Sequence, residues 1–421
     1  MKDKMRPAEG EWYIGIELGN RWTLVSCYQY QMKEPETRGL QAGVEQYKIP
    51  TAICKKKSIG QWYLGEEAKR MLDAGNGIYL ENLLEHALED QKFQEEEICL
   101  PKDVLLIFLK KVLRLVLPAQ GVKGITKCVF SLEQVTAAQT KLLEEMAEQL
   151  GLQHDQLLIQ DHRESFYAYA VSQPKELWLH DVLLFDDTKD GIQLQVLTHN
   201  PKTIPQVAKV TTQQFGTLSK DALLQDQEFT KIVQESLKGR IVSSVYLTGE
   251  GFEGGWMKDS LSCICRGHRG FQGQNLYTRG ACYAGMLEVH QQEAATVYFC
   301  EYKTKMHRML KVTKGEKEYL YPIVEAGKNF HEVKKSCKVL LAQEPVLDIW
   351  MQYPGSKEAV IESLQLEGLH LEEGQRCQLF IEIAVQAQDM LIIKITDIGF
   401  GSLSSGSGKK WEFEIEGRDI S

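Results

Sequence analysis

No stretch of this 421-residue chain is long and apolar enough to cross a bilayer. The most apolar run, Val104 to Leu117, is broken by Lys110, Lys111 and Arg114. The opening residues Met-Lys-Asp-Lys-Met-Arg-Pro have no apolar h-region, so neither a secretory leader nor a membrane partner is expected. A basic block is also missing. Lysine and arginine number 49 against 58 acids, a net charge of −9, with the two signs mixed along the chain. That balance offers no footprint for a phosphate backbone, and nucleic acid is excluded as an expected partner. Cysteine is sparse: ten residues, most of them in apolar segments such as those of Cys27, Cys128 and Cys300. In a chain without a leader these read as reduced, buried thiols of a cytoplasmic protein. Cys263 and Cys265 form a C-x-C with His268 nearby, but the second ligand pair that a metal site needs is not there. No Ser/His/Asp set with recognisable spacing occurs, so a nucleophilic triad is not expected.

What remains is an ordinary soluble composition, 43% hydrophobic and 25% charged, long enough for two to four domains. The chain is organised around Tyr13 to Tyr28. An apolar strand runs into Glu17, the turn Leu18-Gly19-Asn20-Arg21 follows, and a second strand leaves with Trp22 and Leu24 alternating against Thr23 and Val25. An acid at a strand end beside a tight, glycine-containing hairpin is one way to hold a metal-bound phosphate. Backbone N–H groups face the anion and the carboxylate binds the cation's water shell. The plain alternative is a hairpin with a solvated Glu. The pattern returns at Asp181-Val-Leu-Leu-Phe, which runs into Asp186, then Asp187-Thr188-Lys189-Asp190, then alternating Ile192, Leu194 and Val196. Two such units predict an internally duplicated domain.

Between the hairpins, Lys48-Ile-Pro-Thr-Ala-Ile reads as a strand, and Leu64-Gly-Glu-Glu-Ala-Lys-Arg-Met opens a helix carrying Lys69. Residues Leu100 to Leu117 read as a buried helix, with Leu105, Phe108, Leu109, Val112 and Val116 on one face. Cys128-Val-Phe reads as a strand that stops at Ser131, and Ser131-Leu-Glu-Gln134 as a capping box opening a helix that ends at Gly151. Asp161 follows the strand Leu157-Leu-Ile and precedes a helical stretch from Glu164 to Val171. It stands either at a ligand-binding strand end or as an N-cap. Phe229 to Lys238 is a predicted helix. Ser244-Val-Tyr-Leu is a predicted strand ending in the four glycines of Thr248-Gly-Glu-Gly-Phe-Glu-Gly-Gly255, which allow close approach to a ligand or simply a loose turn. From Thr296 the pattern becomes short alternating strands with turn residues, which predicts an all-β sandwich. Ile398 to Gly408 reads as a loop before the last strand.

This order of parts resembles the actin, sugar-kinase and DnaK-chaperone superfamily, and within it the DnaK type, including uncharacterised bacterial DnaK-like proteins. Gly15-Ile-Glu-Leu-Gly resembles the first phosphate hairpin, with Glu17 where the family has Asp. Ile49-Pro-Thr resembles its Val-Pro-Ser segment, and Leu64-Gly-Glu-Glu-Ala-Lys69 its Gly-Asp-Ala-Ala-Lys motif. Cys128 to Gly151 with Ile159-Gln-Asp161 resembles the run that ends in Asn-Glu-Pro. Phe185-Asp186 resembles the second phosphate strand, and Leu247-Thr-Gly249-Glu250-Gly251 the adenosine loop. Leu320-Tyr-Pro-Ile and Ile395-Thr-Asp-Ile-Gly-Phe-Gly resemble the substrate domain. The resemblance implies a reduced, duplicated actin-like α/β ATPase fold over 1–290, with lobes of about 1–180 and 181–290. A lidless β-sandwich over 291–421 would follow. It implies ATP or ADP with Mg in the cleft. Glu17 and Asp186 would hold magnesium through water, Lys69 and Asp161 would be catalytic, and Gly19, Asn20, Arg21, Asp187, Thr188, Gly249, Glu250 and Gly251 would face the nucleotide.

The departures point the other way. The family's Asp-Leu-Gly-Gly-Gly-Thr is here Asp186-Asp187-Thr188-Lys189-Asp190-Gly191, which puts side chains and added negative charge where bare backbone meets phosphate. Like charges a few ångströms apart cost about 1 kcal/mol even in water. Ser131-Leu132 replaces the proline that couples nucleotide to clamp. The segment from Gln193 to Ser244 is too short for the adenine-clamping subdomain, and neither the helical lid nor the interdomain linker is seen. Two readings follow. In the favoured one the chain is a scaffold that binds protein or extended peptide and takes no cofactor. In the other it is a Mg-ATP-dependent chaperone with DnaK-type hydrolysis. A small-molecule kinase has no substrate-site signal.

Overall fold

Ile14, Ile16 and Phe130 are fully buried, as are Leu183, Leu184 and Phe185, and these two groups mark the centres of two sheets. Continuous apolar runs of this kind suit strands covered on both faces. The computed structural model describes residues 6–41, 46–57, 60–90, 93, 100–200, 206–290, 296–300, 302–314, 317–341, 344–369, 376–387, 390–399 and 406–417. The expected change of pattern at Gln291 and the 400–405 part of the predicted loop lie outside these residues. The chain divides into Met1–His199 with Lys209–Glu293, and Asn200–Ala208 with Ala294–Ser421. The expected boundary after residue 290 opens onto residues outside the described ones, and Asn200–Ala208 groups with the second unit.

The first unit begins with β1 (Trp12–Leu18), β2 (Trp22–Gln29), β3 (Glu36–Arg38) and β4 (Ile49–Pro50). A small satellite follows, with β5 (Ile53–Lys56), β6 (Trp62–Tyr63), α1 (Gly65–Asp73) and β7 (Gly77–Leu80). Next come α2 (Leu83–Glu89), α3 (Pro101–Leu113), β8 (Lys127–Leu132), α4 (Ala137–Leu150), β9 (Leu157–Asp161) and α5 (His162–Val171). The second lobe holds β10 (Asp181–Thr188), β11 (Gly191–Asn200), β12 (Gln206–Gln214), α6 (Ala222–Leu237), β13 (Val242–Thr248), α7 (Asp259–Cys265), β14 (Arg269–Gln272) and α8 (Leu276–His290). The two six-stranded sheets contain the orders β3-β2-β1-β8-β9 and β12-β11-β10-β13-β14. In each, the first strand pairs antiparallel with the second and parallel with the fourth, and the fourth pairs parallel with the fifth. The two hairpins therefore belong to one repeated design.

Several boundaries differ from the sequence reading. Strand β8 continues past Ser131, because Ser131 and Leu132 pair with Gln160 and Asp161 of β9. The capping box of α4 is formed instead by Thr136 and Gln139, which have the same S/T-x-x-Q spacing. Strand β10 runs on to Thr188, so its hairpin turns on Lys189 and Asp190 alone. Helix α6 begins at Ala222, well before Phe229, with Asp221 accepting hydrogen bonds from the N–H groups of Leu223 and Leu224.

The second unit opens with β15 (Thr296–Phe299) and continues with β16 (His307–Lys314), β17 (Lys317–Val324), β18 (Lys334–Leu341), β19 (Val346–Gln352), β20 (Val360–Gln365), β21 (Cys377–Ala387), β22 (Met390–Asp397) and β23 (Lys410–Glu416). Two four-stranded sheets, β17-β16-β19-β20 and β18-β21-β22-β23, enclose one core that includes Leu310, Ile349, Leu379, Ile381, Ile393 and Ile395. Among the described residues no helix is long and apolar enough to cross a membrane.

Helix α8 sits tightly against both β1 and α5. A Cβ on Gly280 would lie 2.0 Å from the Ser165 carbonyl oxygen of α5, and one on Gly15 2.1 Å from the Thr278 carbonyl oxygen. Alanine in a helix gains about 1 kcal/mol over glycine, but forcing two backbones apart costs about 1–3 kcal/mol or more. We expect Gly280→Ala to lower the urea midpoint, with a net loss of about 1–2 kcal/mol. A midpoint at or above wild type would show that α5 and α8 can part freely.

Candidate functional site

The repeat places one acid at the same point of each lobe. Glu17 lies in register between Leu24 of β2 and Ser131 of β8, and Asp186 between Gln193 of β11 and Thr248 of β13. Each lobe's fifth strand leads to a helix whose first turn faces these acids. His162 opens α5 and Tyr277 lies at the start of α8, and their rings stack 4.0 Å apart at 11°. The Tyr277 hydroxyl donates to Asp186 Oδ2 at 2.6 Å and accepts from Gln195 Nε2 at 2.8 Å. His162 Nε2 lies 4.0 Å from Glu17 Oε1, and the Thr278 N–H bonds the Glu17 carboxyl. Glu17 Oε2 is buried and has no hydrogen-bond partner among the described residues.

These surroundings favour protons over charge. Glu17 is pushed up to about 8 by burial and then by the Asp186 charge, while Lys48 and the Thr278 N–H pull it down. Asp186 is pushed up to about 7 by burial, against the hydrogen bond from Tyr277. The Asp187 and Glu133 charges add to its rise and Lys48 opposes it. Burial pushes His162 down to about 3, so its ring is neutral.

The cation that acts on both acids is Lys48, which stands just before β4 and reaches Glu250 Oε1 of the glycine loop at 2.8 Å. Lys69 is exposed on α1, where it pairs with Glu66 at 3.5 Å. Asp161 caps α5. Its Oδ1 accepts from the Glu164 N–H at 2.8 Å and its Oδ2 from Arg163 Nε at 2.6 Å, so the N-cap reading describes it.

Three of the backbone donors expected to face a phosphate, those of Gly19, Gly249 and Gly251, are used within the chain. Gly19 donates its N–H to the Trp22 carbonyl at 3.0 Å, and the Arg21 guanidinium lies 5.3 Å from the centre of the Trp22 ring. Asn20 is exposed in the same turn. Thr188 closes the second turn by donating to the Gly191 carbonyl at 2.8 Å. Gly249 donates to Gln274 Oε1 at 3.2 Å and accepts from Gln274 Nε2 at 2.7 Å. Gly251 donates to Asp187 Oδ2 at 2.7 Å. The approach is tight, since a Cβ on Gly251 would lie 2.5 Å from the Asp187 carboxyl carbon.

A magnesium ion would need oxygen donors free to take its charge or its water. Among the described residues no three His, Cys, Asp or Glu side chains are grouped to hold a metal. The two acids favour protons, and one oxygen of Asp186 is taken by Tyr277. The donor set does not fit direct coordination, and we derive no step through a metal.

Sequence reading missed Lys48, His162, Tyr277 and Gln195. A signal for His162 and Tyr277 was present in the repeat, as each stands close behind the fifth strand of its lobe.

The fold and cleft define a two-lobed α/β protein with a repeated acid hairpin, joined to a β-sheet unit. The family described as "Family of unknown function (DUF5716) C-terminal" matches residues 34–301, and the chain belongs to it. A second description, "Domain of unknown function (DUF8552)", matches residues 303–417. No curated protein matches the chain.

The raised acids set a pH dependence. Their folded-state values lie above the unfolded carboxyl values near 4, so between about pH 4 and pH 8 the folded state holds protons that the unfolded state releases. This contribution is complete below about pH 4 and is lost as pH rises through 7 to 8. Each group adds a slope of up to about 1.4 kcal/mol per pH unit. Urea denaturation from pH 5 to about pH 8 should show stability falling, with Glu17→Gln flattening the profile. A wild-type profile that rises over this range, or one that Glu17→Gln leaves unchanged, would contradict the assignment.

Proposed function

We propose that this chain is a DnaK-like scaffold, an actin-type two-lobed fold joined to a lidless β-sandwich, that works through protein or extended-peptide contacts and not through ATP turnover. One observation carries this reading: the glycine loop's donors are satisfied from within, Gly251 by Asp187 and Gly249 by Gln274. A phosphate loop acts by presenting free N–H groups to an anion. Here a carboxylate of the chain itself accepts one of them. Lys48, tied to Glu250 and acting on both acids, supplies the positive charge from within as well. The shared strand order of the lobes supports the actin-type part of the reading.

The opposed acids favour the second reading, an active Mg-ATPase, since a bound cation would relieve the cost of charging Glu17 and Asp186 together. The two readings separate in a thermal-shift titration with Mg-ATP to about 10 mM, run on wild type and Lys69→Ala beside a phosphate-release assay. A ligand at a hundred times its dissociation constant stabilises by about 2.7 kcal/mol, a shift of several degrees. We expect no such shift and phosphate release at the buffer rate. A wild-type shift that Lys69→Ala abolishes, with release above background, would establish the ATPase.

A further inference from the structure

The β18-β21-β22-β23 sheet has edges of opposite charge. On its outer face β18 exposes Lys334, Ser336, Lys338 and Leu340, with no acid among them. On the same face of the other edge, β23 exposes Lys410, Glu412, Glu414 and Glu416. Among the described residues β18 pairs only with β21 and β23 only with β22, so each presents a further row of backbone donors and acceptors.

The inner face is unfinished at both edges. Cys337 and Val339 of β18, and Trp411 and Phe413 of β23, pack against the core but stay only partly buried. Their neighbours on the central strands, Leu379, Ile381, Ile393 and Ile395, are at most 2% exposed. An added strand at either edge would cover apolar surface that the sheet alone leaves partly in water.

Strand direction then selects the partner. All neighbours in this sheet are antiparallel, and with four strands the two edges run in opposite directions. A second copy displaced along the sheet therefore brings its β18 antiparallel to the first copy's β23. A register exists in which Lys334 faces Glu416, Ser336 faces Glu414, Lys338 faces Glu412 and Leu340 faces Lys410. In that register Cys337 meets Phe413 and Val339 meets Trp411. Two-fold pairing of β18 with β18, or β23 with β23, brings together edges of like charge and is disfavoured. Edge lysines commonly keep other strands away. Here the far edge of the same sheet supplies their counter-charge.

We infer that this sheet binds a second copy of the chain head to tail, β18 upon β23, so that the sheet continues from copy to copy. Such a contact does not close on itself and gives short open chains that lengthen with concentration.

Sedimentation velocity on the full chain tests this from low to high micromolar concentration. Wild type should show a weight-average coefficient that rises with concentration and falls back in high salt, because exposed charge pairs are screened. Lys334→Glu with Lys338→Glu, or Glu414→Lys with Glu416→Lys, should each weaken association about tenfold or more. An equal mixture of the two double variants should regain it, since each then offers the edge the other lacks. That recovery also shows both variants to be folded. A wild type that stays monomeric throughout would overturn the inference. So would association indifferent to salt and to both reversals, or a single-edge variant that still self-associates as wild type does.

Discussion

The first unit depends on the fit of α8 between β1 and α5. Gly15 and Gly280 leave no room for a carbon atom beside the backbone of their neighbours. That approach brings the start of a second-lobe helix over an acid of the first lobe. It places the Thr278 N–H on Glu17, Tyr277 on Asp186 and the Tyr277 ring against His162. The Thr278 hydroxyl adds a further tie, donating to the Gly15 carbonyl at 2.9 Å. Two small residues therefore decide whether the cleft is assembled, although neither has a side chain to contribute.

Once assembled, the cleft meets its own electrostatic needs. Two carboxyls from different lobes face one another with little solvent, an arrangement that costs free energy unless a proton or a cation intervenes. Protons on Glu17 and Asp186 and the ammonium of Lys48 share that role. On the other side of the cleft the Asp187 carboxylate takes the Gly251 N–H, and Gln274 brackets Gly249 from both sides. These contacts satisfy the Gly249 and Gly251 N–H groups from within the chain. They also give the two glycines a steric reason. Gly249 and Gly251 must let Asp187 approach to within van der Waals contact of their backbone.

Much of this was legible in the sequence because it is local. The acid hairpins showed as apolar runs ending in Glu17 and Asp186, and their recurrence predicted a repeat that the two sheets display strand by strand. The alternation after Thr296 predicted the strands of the second unit. Boundaries failed where tertiary pairing overrides a local signal. Ser131-Leu-Glu-Gln134 and Thr136-Ala-Ala-Gln139 are equally good capping boxes as sequences. Pairing with Asp161 through Leu132 keeps the first of them extended. The cleft's other members were illegible for a different reason. Lys69 stands at a motif, but the lysine that matters to the acids is Lys48, which no periodicity singles out. Its role comes from a contact with Glu250, 202 residues away. His162 and Tyr277 likewise meet only because α5 and α8 pack together. A motif gives the position of a residue along the chain, whereas a cleft is defined by what approaches it from elsewhere. In this cleft the residues that meet the two acids, Lys48, His162 and Tyr277, are therefore ones that a family pattern has no reason to mark.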